Sequence, residues 1–142
     1  MVSELINEKR IKIIFKKTKF PEPTVEKVLW LSLVLNELVK TDIGTDFALM
    51  GGSAIVFLYE NMYRLSVDLD MDYIGNPELG KEGSTDIKEL QNHHCGISRR
   101  ISKDLGLKYK PLEQGDERFL QIQLGFTSIY AKSASIDLDM GY

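Results

Sequence analysis

Asp68, Asp70 and Asp72 occupy every second position of Val67-Asp68-Leu69-Asp70-Met71-Asp72. Alternate side chains of a β-strand share a face, so this spacing predicts three carboxylates on one side and Val67, Leu69 and Met71 on the other. Neighbouring carboxylates on such a face stand roughly 6–7 Å apart at the backbone, and their oxygens approach closer. Two like charges ~5 Å apart repel by about 3 kcal/mol at an effective dielectric near 20. A divalent cation relieves that repulsion. Mg²⁺ or Mn²⁺ suits all-oxygen ligation, keeps positions open for phosphate oxygens, and serves phosphoryl transfer in pairs about 3.5–4 Å apart. An exposed edge strand with its acids in water accounts for the same pattern without chemistry.

A second segment repeats the device: Ser135-Ile136-Asp137-Leu138-Asp139-Met140 puts Asp137 and Asp139 on one strand face. Two such segments in 142 residues favour joint ligation of metal over two coincidences. Met50-Gly51-Gly52-Ser53 falls between an apolar strand-like run and a helix-like run. There, backbone N–H groups and the helix dipole can receive a phosphate, glycine permits close approach, and the Ser53 hydroxyl can donate. The same residues also read as an ordinary tight turn with a capping serine.

Other polar clusters carry less. His93-His94-Cys95 lacks metal-ligand spacing, because adjacent helical residues diverge by about 100°. His94 falls on an apolar stripe and reads as a core histidine. Arg99, Arg100 and Lys103 read as a solvated helix face, as does the N-terminal group Lys9, Arg10, Lys12, Lys16, Lys17 and Lys19. For an RNA acceptor these two basic patches are the first surfaces to consider.

The elements that must position the acids follow from periodicity and punctuation. A helix is expected over residues 3–18 with Ser3 as cap, then a break at Phe20-Pro21-Glu22-Pro23. A dense apolar core helix follows from a Thr24 cap to about Lys40. Thr41–Asp46 reads as a turn, Phe47–Gly51 as a short buried strand, and the run to Met62 as a helix. Val67–Tyr73 is the acid-bearing strand and Gly75–Ser84 a polar loop. Ile87, Leu90, His94, Ile97, Ile101 and Leu105 recur at steps of three and four, a long helix stopped by Gly106. Leu120, Ile122, Leu124 and Phe126 alternate with polar residues as a half-buried strand. The strand Ser135–Tyr142 closes the order, and a weaker strand is expected at Leu107–Leu112. The resulting class is α+β, or a mixed α/β layer, with a mixed sheet.

Composition sets bounds. Hydrophobic residues make up 43% and charged residues 27% of the chain, as in a globular domain. The length is that of one domain. Cys95 is the only cysteine, so no internal disulfide can form, which fits a reducing compartment. The N-terminus is charged throughout and no apolar stretch is long enough for a membrane span, so a cytoplasmic protein with no membrane partner is expected. A net charge of −3 argues against coating nucleic acid by bulk electrostatics.

Phe47–Tyr73, FALMGGSAIVFLYENMYRLSVDLDMDY, resembles the nucleotidyltransferase domain of the AbiEii/AbiGii toxin family, which includes the MenT-type toxins of type IV toxin–antitoxin systems. The family pattern is an apolar strand, Gly-Gly-Ser/Thr-Ala, a helix, and Arg-x-Ser-x-Asp-x-Asp; here these are Gly51, Gly52, Ser53, Ala54, then Arg64, Ser66, Asp68 and Asp70. The resemblance implies a polymerase-β-like nucleotidyltransferase core, a mixed sheet flanked by helices, that moves a nucleoside monophosphate from a nucleoside triphosphate to an acceptor hydroxyl. It further implies Mg²⁺ or Mn²⁺, a tRNA acceptor and a cognate antitoxin.

In that scheme Asp68 and Asp70 bind the metals, while Ser53 with the Gly51 and Gly52 backbone holds the β- and γ-phosphates. Arg64 neutralises phosphate charge, or alternatively fixes the loop ahead of the strand by a salt bridge. Asp137 or Asp139 completes the site and helps activate the attacking hydroxyl, with Asp137 preferred. Ser66 shapes the strand entry and Asp72 is peripheral. A single domain is implied over 1–142, with N-terminal helices in 1–40 and the catalytic core in 47–142. The family's C-terminal helical region, with its further Lys/Arg-Asp-type motif, is absent, as in a truncated chain or a minimal relative. Two other readings remain beside transfer: a non-catalytic NTP- or protein-binding relative, and a metal-dependent phosphohydrolase using the same carboxylates.

Overall fold

A computed structural model describes residues 2–52, 54, 67–81, 86–113 and 115–142. The first expected helix is two. α1 (Val2–Leu5) and α2 (Glu8–Thr18) are separated by Ile6 and Asn7. Asn7 takes an extended backbone, its side-chain oxygen accepts from the Arg10 N–H at 2.9 Å, and its amide nitrogen donates to the Ser3 and Glu4 carbonyls. A short amide that closes one turn and caps the next outcompetes helix continuation, so the cap is Asn7 and not Ser3.

α3 (Glu22–Leu38) starts two residues before the expected Thr24 cap, with Pro21 at the N-cap and Pro23 in its first turn. The N–H groups of a first turn have no partner within the helix, so proline forfeits no hydrogen bond there. Thr41 caps a short α4 (Asp42–Asp46) by accepting from the Ile43 N–H at 3.2 Å, where the sequence predicts only a turn.

Five strands follow: β1 (Phe47–Met50), β2 (Asp68–Tyr73), β3 (Lys108–Leu112), β4 (Phe119–Phe126) and β5 (Ala134–Gly141), with α5 (Ile87–Leu105) between β2 and β3. Their order in the sheet is β1-β2-β5-β4-β3. The β2–β5 pair is parallel and the other three are antiparallel, so the sheet is mixed and the class α+β, as expected. Gly52 and Ala54 are helical, after Gly51 in the left-handed region; the rest of the helix expected to Met62, together with Ser53, Arg64 and Ser66, lies outside the described residues.

Two strands are edges. β1 was expected to be buried, yet only Phe47 is, and Met50 is 47% exposed, because β1 has a neighbour on one side alone. β3 is the other edge, and Pro111 is tolerated there because an edge strand need not donate every N–H to a ladder.

Leu69 and Met71 of β2, Ile122, Leu124 and Phe126 of β4, and Ile136, Leu138 and Met140 of β5 join one core with Ile11, Leu31, Val34, Leu38, Ile97 and Ile101 from the helices. Trp30 packs on Phe126 with ring centroids 5.3 Å apart. The buried face of α5 is more polar than its apolar stripe implies, since it includes Gln91, Ser98 and Ser102. Ser98 donates to the His94 carbonyl, Ser102 to the Ser98 carbonyl and Gln91 to the Glu117 carbonyl, so each polar group is satisfied where it is buried.

His94 is a core histidine, 1% exposed, with Nδ1 2.7 Å from the Tyr142 hydroxyl. Burial, and then the neighbouring His93, lower its pKa to about 4, so the ring is neutral at physiological pH. His93 instead meets Asp42 at the surface, 2.9 Å away.

Glu26, 1% exposed on α3, accepts from the Ile129 N–H at 2.9 Å and ties down the turn that delivers the chain from β4 to β5. Replacing Glu26 by alanine should cost about 1–3 kcal/mol by leaving that donor unmatched. Urea denaturation should show a lower midpoint with an unchanged slope.

Candidate metal centre

Residues 68–71 and 137–140 have the same sequence, Asp-Leu-Asp-Met, and the fold lays them side by side in register. Asp68 pairs with Asp137, Leu69 with Leu138, Asp70 with Asp139 and Met71 with Met140. Leu69, Leu138 and Met140 are fully buried and Met71 nearly so, which fixes the register because a one-residue slip would drive aspartates into the core. All four aspartates therefore share the face turned away from the core. β2 is an interior strand, so an edge strand that simply wets its acids does not describe it.

Ligand oxygens of Asp68, Asp70 and Asp139 all lie within 4.8 Å of one another. Asp137 is outside that trio, next to Asp68 in register, and Asp72 is exposed beyond it. Among the described residues, Oδ1 of Asp139 and Oδ1 of Asp137 are buried with no hydrogen-bond partner. Unsatisfied carboxylate oxygens beside other carboxylates suit a cation, and a hard divalent ion takes such oxygens directly. The residues present fit Mg²⁺ or Mn²⁺.

Burial first, then the hydrogen bond and charge of Asp70, and then Asp137 and Asp68, push the Asp139 carboxyl up to about 6. Without a cation, Asp139 holds a proton more readily than a free carboxylic acid does.

The glycine turn reaches this cluster. Gly51 has φ +66°, and a Cβ built on it would lie 2.5 Å from Asp70 Oδ2. The backbone angle favours glycine, and a side chain there would push the Asp70 carboxylate aside. Gly52 follows in helical backbone. Met50 pairs with Asp70 across β1 and β2, so the turn leaves the sheet on the acidic row itself.

Gln121 and Gln123 of β4 are neighbours that periodicity alone could not assign. They stand opposite Asp139 and Asp137 on the same face. The alternation of 120–126 marks them as outward-facing, but only pairing shows which strand lies beside them. A cleft of about 1120 Å³ lies elsewhere, between α5 and the β3–β4 hairpin; it is lined by Arg99, Tyr109 and Arg118 among others and includes none of the four aspartates. Its cations face Asp86, Glu113, Asp116 and Glu117, so it presents no net charge suited to a triphosphate. The basic residues Arg99, Arg100 and Lys103 belong to α5, which packs on the apolar side of the sheet; Arg99 lies over the Tyr109 ring, 5.2 Å from its centroid.

Residues 33–142 match the model of the family described as nucleotidyl transferase AbiEii toxin, type IV TA system. The chain belongs to this family. It is accordingly a nucleotidyltransferase of the toxin class, and the resemblance carried by Phe47–Tyr73 extends across the whole sheet. No curated protein and no solved structure matches it. No described helix is long and apolar enough to cross a membrane.

Two outcomes test this geometry. Gly51→Ala should lower stability by more than about 1 kcal/mol and displace the Asp70 carboxylate, reducing divalent-ion affinity measured by calorimetry. The raised pKa of Asp139 means that the folded state binds the extra proton between about pH 4 and 6, so this carboxyl costs stability as pH rises through that window. In chelator, Asp139→Asn should therefore raise Tm by a few degrees at pH 7.5 and by little at pH 4.5, read by thermal scans.

Proposed function

We propose that this chain transfers a nucleoside monophosphate from a nucleoside triphosphate to the hydroxyl of an RNA acceptor, with tRNA as the acceptor class and a cognate antitoxin as its opponent. The observation that carries this reading is the meeting of the Asp68, Asp70 and Asp139 oxygens within 4.8 Å, beside the Gly51 turn. Membership of the toxin family supports the antitoxin, and the tRNA acceptor is what the resemblance over Phe47–Tyr73 implies.

In this reading Asp68, Asp70 and Asp139 hold Mg²⁺ or Mn²⁺, with Asp139 rather than the preferred Asp137 as the third ligand. A divalent ion there supplies neutralisation of the triphosphate and of the charge that builds on the transferred phosphoryl group. The N–H groups of Gly51 and Gly52 and the Ser53 hydroxyl cradle the β- and γ-phosphates, and Arg64 offsets their charge. The acceptor oxygen bonds to the α-phosphorus, the bond from that phosphorus to the bridging oxygen breaks, and pyrophosphate leaves. Asp137, beside Asp68 on the same face, takes the proton of the attacking hydroxyl. The remaining contribution is positioning: acids, cradle and acceptor are held on one rigid sheet face.

Incubation with each labelled nucleoside triphosphate, Mg²⁺ and a tRNA transcript should label the RNA. Asp68→Ala and Asp70→Ala should each lower the rate on the order of 10³-fold, and chelation should abolish it. Nucleotide occupancy without labelled product would establish a binding module, and nucleotide release without transfer a phosphohydrolase; either overturns this reading.

A further inference from the structure

The acidic face of the sheet continues past the aspartates into a differently charged surface. One register row runs Asp68, Asp137, Gln123, Lys110 across β2, β5, β4 and β3. The adjacent row runs Ser135, Gly125, Lys108. Lys108 and Lys110 are exposed, and neither side chain makes a hydrogen bond or ion pair among the described residues. Between them and the acids lie amide, hydroxyl and glycine positions only, so the surface there is polar and low.

Strand spacing sets the scale. Lys110 is two interstrand steps from Asp137, about 10 Å, and three from Asp68, about 14 Å. Those separations exceed the Debye length of about 8 Å at physiological salt, so the lysines do little to neutralise the carboxylates. They are also too far for a phosphate chain clamped at the aspartates and Gly51. Lys108 and Lys110, two apart on one strand face, stand about 6–7 Å from each other. That interval matches successive phosphates of an extended polynucleotide better than a single compact anion.

We infer that Lys108 and Lys110, with Gln123, Gly125 and Ser135, form the track on which the backbone of a single-stranded RNA end lies as its terminal hydroxyl enters the carboxylate site. This rests on the transfer reading above and extends it to the surface that takes the acceptor. The two basic patches on α2 and α5 belong to helices that pack on the other side of the sheet. The β3 lysines share the face of the acids, and this selects them over the patches.

Lysines also keep an edge strand from pairing with other chains. Charge reversal retains that protection while removing attraction for phosphate, so Lys108→Glu/Lys110→Glu is the informative variant, with Lys16→Glu/Lys17→Glu on α2 as control. Binding of a 5′-labelled tRNA transcript should weaken at least tenfold in the β3 variant, and the slope of log affinity against log salt should fall by roughly 1.5. The KM for RNA should rise while kcat and the KM for nucleotide hold. The α2 variant should behave as wild type. RNA affinity and salt slope unchanged in the β3 variant would overturn the track, and labelling of RNA by both proteins would then leave the transfer reading standing. RNA binding that depends on the β3 lysines, without labelling by wild type, would sustain the track and remove the transfer reading.

Discussion

Four carboxylates held in two facing pairs by a parallel strand pairing are the constraint around which this molecule is built. Each facing pair brings like charges to within about one interstrand distance, and at an effective dielectric near 20 that repulsion is about 3 kcal/mol. The strands cannot slide apart to relieve it, because Leu69, Met71, Leu138 and Met140 lock the register from the opposite face. The apolar half of each Asp-Leu-Asp-Met segment thus holds the acidic half in an unfavourable arrangement. Protonation of Asp139, or a cation, is what relieves it.

The surroundings of that arrangement are consistent with it. Gly51 gives up a side chain where Asp70 needs the room and adopts a backbone angle that other residues resist. The described helices that contribute to the core do so from the apolar face of the sheet, opposite the aspartates. The polar groups buried under α5 are satisfied internally, whereas Oδ1 of Asp137 and of Asp139 are not. Beside the Tyr130 hydroxyl, these are the buried side-chain oxygens without a partner among the described residues, and only these two sit together among other carboxylates, where a cation would satisfy them.

The supporting contacts serve position more than chemistry. His94 and Tyr142 meet with Phe47 and Tyr73, joining α5 to the start of β1, the end of β2 and the residue after β5. Glu26 secures the turn before β5. Both act on the ends of the strands that carry the acids, so the precision of the site depends on residues that never face it.

Much of this was legible in the chain. Period-two spacing disclosed both acid-bearing strands and their faces, steps of three and four disclosed α5, and Gly-Gly after an apolar run marked the turn, because each is a local consequence of backbone geometry. Local rules failed where a side chain had a competing local partner, as at Asn7, or where a helix start tolerated what its interior would not, as at Pro21 and Pro23. What spacing could not reveal was adjacency. Asp137 and Asp139 are equivalent by periodicity, and only the register of β2 on β5, with the closeness of Asp70 to Asp139, separates them. Likewise the basic residues of α5 and those of β3 look alike as charge, yet the sheet puts them on opposite sides. The sequence alone determined which residues share a face, since that depends on a few bonds; the tertiary structure decided which faces meet, since that depends on which apolar surfaces could be buried together.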